Sequence, residues 1–236
     1  MNVIITMAGE GKRFKKDGIS IPKHMIMVKG KSLFEWALLS LTNFIDNKFI
    51  FVARKFHNTP DFIREKCSIF GIKELKIKEI DYLTDGQAAT VMEAEELITD
   101  LDEEIIIYNI DTYVDAVELK PEHIRGEGWV PVFETEGDHW SFVKFKSDGR
   151  VTAMVEKDRI SQYGSIGLYY FNSFGLFKNA YNEYYKKANL DERYIAPIYN
   201  ILIQEKKEIY AAVLNKSRVH VLGTPKEVKI FEEDAR

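Results

Sequence analysis

The sequence predicts an α/β fold: a mixed, mostly parallel sheet flanked by helices, with antiparallel additions in its second half. Three observations carry this. Short apolar strand-like runs alternate with helix-like segments through the first half, the pattern of a parallel sheet with helices on its faces. The second half changes to closely spaced short strands, two of them joined across Ser147-Asp148-Gly149-Arg150, an Asp-Gly turn signal. No internal repeat and no Pro/Gly/Ser linker divides the 236 residues, so one continuous domain is expected, with a first half over about 1–115 and a second over about 116–236.

Val3–Met7 is the first strand, a β-rich run leading into Ala8-Gly9-Glu10-Gly11-Lys12-Arg13. Ser32 with Glu35 three positions on has capping-box spacing and opens a helix through Leu39. Lys48–Ala53 is a second strand, and Thr59-Pro60-Asp61 opens a helix to about Phe70. Leu75–Ile80 is a third strand, Ala88–Leu97 a helix, and Glu104–Ile110 a fourth strand ending at Asp111. Strands follow at Trp129–Phe133, Ser141–Lys146, Val151–Glu156 and Ser165–Asn172. Leu176–Ala188 and Ala196–Lys206 are helical, Ile209–Val213 and Val219–Leu222 are closing strands, and a last helix starts at Pro225.

Apolar residues make up 45% and charged residues 30% of the chain, ordinary for a globular protein and incompatible with wholesale disorder. The net charge of -4 speaks against a nucleic-acid partner, which calls for a basic excess. Lys12, Arg13, Lys15, Lys16 and Lys23 nevertheless form a local basic cluster, of a size that suits a small polyanion. The single cysteine, Cys67, forms no internal disulfide and fits a reducing compartment. Met1–Ala8 is apolar but far too short to span a bilayer. A cytoplasmic protein with no membrane segment is expected.

The strongest local signal is Met7-Ala8-Gly9-Glu10-Gly11-Lys12-Arg13-Phe14, directly after the first strand. Glycines one residue apart let backbone approach a ligand, and successive amides form an anion nest. Lys12 and Arg13 add charge-assisted contacts to phosphate. The loop lacks the third glycine of the dinucleotide fingerprint and the Gly-Lys-Ser/Thr of a P-loop, so alone it is weak evidence, with a plain strand-to-helix turn as the lesser alternative. Pro22-Lys23 follows about ten residues on, and His24 is the one histidine near it.

Taken together, Ile5–Phe14, Pro22-Lys23 and Val28-Lys29-Gly30-Lys31-Ser32-Leu33 closely resemble the N-terminal signature of the sugar-phosphate nucleotidyltransferase family. Asp85–Ala89 resembles its base-binding segment, Tyr108–Asp111 its strand ending in a metal-binding aspartate, and Val155-Glu156-Lys157 its Glu-Lys pair. Tyr163–Tyr169 resembles its sugar-side strand and Gly223-Thr224-Pro225 its closing Gly-Thr-Pro. The matches are short, and their specificity lies in number and order across almost the whole chain. Asp191–Asn200 resembles a segment of members associated with capsule and surface-polysaccharide synthesis.

The resemblance implies a Rossmann-like sheet of the nucleotide-diphospho-sugar transferase type, its halves binding nucleotide and acceptor. It implies transfer of a nucleoside monophosphate from a triphosphate to a phosphorylated acceptor, releasing pyrophosphate. Ala8, Gly9, Glu10, Gly11 and Lys12 would hold the triphosphate, and Gly86, Gln87 and Ala88 the base. Arg13, Lys23 and Lys157 would be catalytic, and Asp111 would hold Mg²⁺. Ser141, Glu156, Gly167, Arg193 and Tyr194 would meet the acceptor. Short members are common among cytidylyltransferases, which favours CTP. The acceptor would be a sugar phosphate, a polyol phosphate or a phosphoglutamine-like compound. A homodimer is the assembly left open.

Two departures stand out. Where the family often has an aspartate or asparagine as a second metal ligand, two residues before the closing glycine, this chain has Val221. Where many sugar-binding members have glycine after Trp140, it has Ser141. Val221 supports an alternative, a nucleotide-binding regulatory protein of the same fold with weak turnover. A glycosyltransferase would call for Asp-x-Asp, of which Asn109-Ile110-Asp111 is half.

Overall fold

Unbroken apolar runs in the first half predict strands buried on both faces, and the computed structural model, which describes residues 1–56, 58–187 and 192–234, shows them. The chain begins with β1 (Asn2–Met7), α1 (Lys12–Lys16), β2 (Met27–Val28), β3 (Lys31–Ser32), α2 (Leu33–Ser40), β4 (Lys48–Arg54), α3 (Thr59–Ile69) and β5 (Leu75–Ile80). It continues with α4 (Gln87–Met92), β6 (Ile105–Tyr108), β7 (Thr112–Val114), β8 (Gly128–Glu134), β9 (Ser141–Phe145), β10 (Val151–Glu156) and β11 (Tyr163–Ser165). It ends with β12 (Leu168–Phe171), α5 (Phe174–Lys187), α6 (Tyr199–Gln204), β13 (Ile209–Val213), β14 (Val219–Val221) and α7 (Pro225–Glu233).

The main sheet runs β10-β9-β11-β8-β12-β6-β1-β4-β5, and β13 joins by pairing with β8, making ten strands. Strands β6, β1, β4 and β5 are mutually parallel, β12 is antiparallel to β6, and β13 is parallel to β8. Alternate side chains go to opposite faces. Ile4, Ile50, Val52, Ile105 and Ile107 pack in one apolar cluster with residues of α4, α5 and α6. Val3, Ile5, Phe49, Phe51, Ile106 and Tyr108 pack in another with residues of α2 and α3. A third, smaller cluster joins Phe14 of α1, Ile26, Val28, Leu33, Leu222, Val228 and Phe231. It ties the N-terminal loop to the C-terminal helix.

The expected mixed α/β architecture is present, with local differences. The capping box of α2 is complete: Ser32 Oγ accepts from the Glu35 amide, and Glu35 Oε2 accepts from the Ser32 amide at 2.8 Å. The helix expected through Leu97 ends at Met92, and i→i+3 bonds carry Ala94 and Leu97 on as a tighter 3-10 turn. The segment 196–206 divides similarly into a 3-10 turn, Ala196–Ile198, containing Pro197, and then α6. Val219–Val221 does not close the main sheet. It pairs with β7 in a separate two-stranded sheet, and β7, α1, β2 and β3 carry too little pattern to be read from sequence.

The run expected as one strand over 165–172 is two, β11 and β12, broken at Ile166–Gly167. Ser165 pairs with Val132 and Tyr170 with Trp129, so the 165–170 side carries two more residues than its partner. The excess is a bulge, and Gly167 takes φ +83 there, in the region glycine alone enters freely. The Asp-Gly turn is as expected, with Gly149 at φ +85 and Arg150 N donating to Asp148 Oδ1. The helix predicted over 176–188 starts earlier, at Phe174, where Ser173 Oγ accepts from the Leu176 amide at 2.9 Å. Its last residue, Ala188, and Asp191 of the distinctive segment lie outside the described residues.

After Pro22 a 3-10 turn, Lys23–Met25, sends successive side chains in opposite senses. His24 goes inward, buried against the Phe62 ring at 5.6 Å between centroids, which leaves Lys23 facing Asp111. Burial lowers the His24 pKa from 6.5 to about 4, so the ring is neutral at neutral pH. Its charge is disfavoured only in the folded state, so its contribution is intact above pH 6.5 and lost as pH falls towards 4. Between pH 7 and 4 a His24→Phe variant should therefore gain about 3 kcal/mol in urea-unfolding stability relative to the parent. A pH-independent difference would show that His24 is not held neutral by the fold.

Candidate active site

Parallel β1 and β6 are neighbours, but the chain leaves them towards opposite sides, β4 and β5 beyond one and β12 beyond the other. Loops at the carboxyl ends of such strands part and leave a crevice, the usual ligand position in an open α/β sheet. Both of the sequence's strongest signals lie there. Residues 8–11 follow β1, and Asn109-Ile110-Asp111 follows β6. The turn bearing Asp111 is pinned twice: the Tyr108 hydroxyl donates to the Thr112 carbonyl at 2.8 Å, and the Leu222 amide donates to the Asp111 carbonyl at 2.7 Å.

Lys23 Nζ stands 2.5 Å from Asp111 Oδ2, joining the Pro-Lys turn to the end of β6. Gly11, at φ +65, starts α1 with its missing Cβ 3.6 Å from Lys23 Cβ. The amides of Gly9, Glu10, Gly11 and Lys12 donate no hydrogen bond among the described residues, which leaves a run of donors for an anion. Ala8 is buried in the core cluster that also takes Ala88. The Lys12 ammonium lies 3.2 Å from Glu10, whose carboxylate it holds below the usual range, with Arg54 at 4.0 Å. Arg13 lines the cleft.

Gly86 and Arg193 meet through backbone. The Arg193 amide donates to the Asp85 carbonyl, the Ala88 amide donates to the Arg193 carbonyl at 2.9 Å, and a Cβ on Gly86 would stand 2.6 Å from Arg193 N and O. Glycine is required at that contact, at φ +121. The Arg193 guanidinium turns to α5, donating to Tyr181 Oη and lying over the Tyr181 and Tyr185 rings. The structure thus places Arg193 against the segment Asp85–Ala88 rather than in the cleft. Gln87, first residue of α4, lines the cleft and donates to Thr6 Oγ1 at 3.1 Å.

Ser141, Glu156, Gly167 and Tyr194 close the other side of the cleft. Ser141 Oγ donates to Glu156 Oε2, so the extra hydroxyl at this position is engaged with the carboxylate. Burial raises the Glu156 pKa, opposed by the Ser141 hydrogen bond and the Lys157 charge. Lys157, at φ +56, donates to Tyr194 Oη, which donates to Glu192, and Lys157 Nζ lies 3.7 Å from Glu192. Gly167 makes room for Asn109 rather than for a ligand, since a Cβ there would fall 1.9 Å from Asn109 Nδ2.

Sequence reasoning passed over several cleft residues: Asn109, His139, Trp140, Tyr169 and Glu227. Asn109 Oδ1 and Glu227 Oε2 are buried without a hydrogen-bond partner among the described residues. Burial pushes the Tyr169 phenol up to about 12. His24, buried beside Lys23, faces the core.

The donors present suit Mg²⁺. Among the described residues no three His, Cys, Asp or Glu side chains are grouped to cage a metal, and Mg²⁺ is usually held by one or two carboxylates with waters and substrate phosphates. Asp111 supplies a hard carboxylate, and Gly223 leaves the space beside it open, where a Cβ would stand 3.1 Å from Oδ2.

A ten-stranded mixed sheet with a basic glycine loop and an aspartate at its switch point defines the nucleotide-diphospho-sugar transferase fold. The chain belongs to the nucleotidyl transferase family, whose model matches residues 2–226. It is similar to the nucleoside-diphosphate-sugar pyrophosphorylase of Vibrio cholerae RC9, at 34% identity over 98% of this chain and 99% of that one, with a TM-score of 0.90. It shares its fold with the inositol-1-phosphate CTP transferase of T. maritima, at 15% identity over 98% and 93% of the two chains and a TM-score of 0.79. No curated protein matches it. No helix among the described residues is long and apolar enough to cross a membrane.

Substituting Gly167→Ala should cost about 2 kcal/mol or more in urea unfolding, because the new methyl meets both Asn109 and an unfavourable φ. Asn109→Ala in that background should recover part of the loss. An unchanged midpoint for the single variant would show that Asn109 is not confined by the bulge.

Proposed function

We propose that this protein transfers a nucleoside monophosphate, CMP in the first instance, from the triphosphate to a phosphorylated small-molecule acceptor. Pyrophosphate is released, and the product serves as a precursor of a capsule or other surface polysaccharide in the cytoplasm. The observation that carries the reading is the Lys23–Asp111 pair at the switch point, flanked by Arg13 and the free amides of the glycine loop. Family membership supplies the reaction class. The CTP preference rests on the sequence resemblance alone, and the T. maritima likeness supports the fold alone.

An acceptor phosphate oxygen attacks the α-phosphorus in line. The new P–O bond forms as the bond from the α-phosphorus to the bridging oxygen breaks, and the electron pair leaves with pyrophosphate. The nucleophile is already an anion, so no general base is needed. Catalysis consists of holding two polyanions together and offsetting the charge that develops. The amides of residues 9–12 bind the triphosphate, Arg13 the leaving pyrophosphate, and Lys23 the α-phosphate and the attacking phosphate. Asp111 would hold Mg²⁺, which when bound would supply further neutralisation of phosphate charge. Gly86 and Gln87 meet the base, and Gln87 can both donate and accept. Glu156, kept in place by Ser141, accepts from hydroxyl or amine donors of the acceptor, with Lys157 and Tyr194 at the rim.

Pyrophosphate release measured with CTP, UTP, dTTP, GTP and ATP against sugar 1-phosphates, polyol phosphates and phosphoglutamine should single out one pair. Asp111→Asn should abolish Mg²⁺-dependent turnover, and Lys23→Ala should lower kcat about 10²-fold, both with little change in melting temperature. Triphosphate binding without pyrophosphate release across the whole panel would instead favour a nucleotide-binding protein with weak turnover. Near-wild-type turnover in either variant would remove that residue from the mechanism.

A further inference from the structure

Val221 lines the cleft beside Asp111, its backbone paired with Thr112, and offers no ligand where a second carboxylate is wanted. One does reach the place from the next element. The point a Cβ would occupy on Gly223 lies 3.1 Å from Asp111 Oδ2, 3.4 Å from Glu227 Oε2 and 3.8 Å from Arg13 Nη1. Two carboxylate oxygens from separate elements thus converge on a space kept open by glycine.

The behaviour of Glu227 as a helix residue is unusual. It stands three residues after Thr224, which caps α7 by accepting from the Glu227 amide at 3.2 Å. Glu35 has the same relation to Ser32 in α2, and there the carboxylate turns back and closes the box. At α7 only the first half of the box forms. Glu227 Oε2 is buried without a hydrogen-bond partner among the described residues, and Arg13, whose Nη1 lies 3.8 Å from the same Gly223 point, makes no ion pair among them. A buried carboxylate oxygen without a partner is costly, and the Asp111 carboxylate beside it, engaged by Lys23 at 2.5 Å, offers it no donor. A divalent cation between the two removes that cost and suits hard oxygen donors.

We propose that Glu227 is the second carboxylate of the divalent-cation site, acting with Asp111 in place of the side chain that Val221 lacks. This rests on the reading of Asp111 as a metal ligand. The prediction is that the protein, without nucleotide, binds one Mn²⁺, followed through loss of the free-ion EPR signal. Glu227→Gln, which keeps the shape and the amide capped by Thr224, should weaken binding tenfold or more and should not lower the melting temperature. Asp111→Asn should weaken it at least as much. Val221→Asp in the Glu227→Gln background should restore affinity to within a few-fold of the wild type, since residue 221 faces the same cleft.

If Asp111→Asn abolishes Mn²⁺ binding but Glu227→Gln leaves it unchanged, the role of Asp111 stands and that of Glu227 is overturned. If Glu227→Gln melts several degrees lower with unchanged Mn²⁺ affinity, Glu227 is a structural partner of Arg13 and the inference fails. Failure of the wild type to bind Mn²⁺ at millimolar concentration also overturns it, because the two carboxylates are already in place in the chain. The transfer reaction is judged separately, by pyrophosphate release.

Discussion

The parallel pairing of β1 with β6 is the constraint on which the rest of the site depends. Its register, Asn2 with Ile105 through Ile5 with Tyr108, delivers two loops distant in sequence to the same edge of the sheet. One carries the glycine loop and the other Asp111. Because the sheet continues in opposite directions from these strands, the loops diverge and the crevice between them stays open. The strands are all but fully buried, with Val3, Ile4, Ile106 and Ile107 each at 0% exposure, and side chains of that kind each contribute roughly 1.5–3 kcal/mol on burial. The apolar interior of the strands thus fixes the separation of charged groups beyond their ends, including the 2.5 Å contact of Lys23 with Asp111.

A second constraint brings in the C-terminus. Helix α1 has only five residues, too few to form alone. It is held by Phe14, which is buried with Leu222, Val228 and Phe231. The same cluster sets the turn of Gly223 against Asp111, and the Leu222–Asp111 backbone hydrogen bond fixes their relation. Arg13, Asp111 and Glu227 therefore meet through the packing of apolar neighbours in sequence: Phe14 next to Arg13, Leu222 next to Gly223, Val228 next to Glu227. Loss of that small core would disperse the site while leaving the main sheet intact, since none of these residues belongs to the two larger clusters.

What could be read in the sequence was whatever depends on local pattern. β1, β4 and β6 are legible because burial on both faces leaves continuous Val, Ile and Phe runs, and α2 because Ser32 and Glu35 complete its cap. The loop glycines stood out because their spacing permits an anion nest, and Asp111 because it ends an apolar run in the place the resemblance assigns to an acidic residue. Residues whose role is set by distant partners were misread. The aromatic run around Tyr169 reads as one strand, and only its pairing with β8 shows the bulge at Gly167. Arg193 is a cation near a supposed acceptor site, yet three-dimensional packing gives it Tyr181 and Tyr185. Glu227 carries no local signal of its own, and only the half-formed cap at Thr224 shows a carboxylate oxygen left without a partner among the described residues.

Charge is divided across the cleft in a way that suits two anionic substrates. Cations and free amides lie at the ends of the parallel strands, around Arg13, Lys23 and residues 9–12. The opposite wall is aromatic and acidic, with Tyr169, Trp140, Tyr194 and Glu156. An acidic group facing a phosphorylated ligand would repel it unless its charge were offset. Glu156 is offset twice, by the hydroxyl of Ser141 and by the charge of Lys157, while burial pulls towards the protonated form. Lys157 is itself steadied by Tyr194 and Glu192 rather than left to swing freely. In the proposed reaction this wall would accept hydrogen bonds from the uncharged or cationic part of an acceptor without opposing its phosphate. On the same proposal the cost of gathering two polyanions would fall on the opposite wall, where the glycine loop, Arg13, Lys23 and the carboxylates beside Gly223 converge.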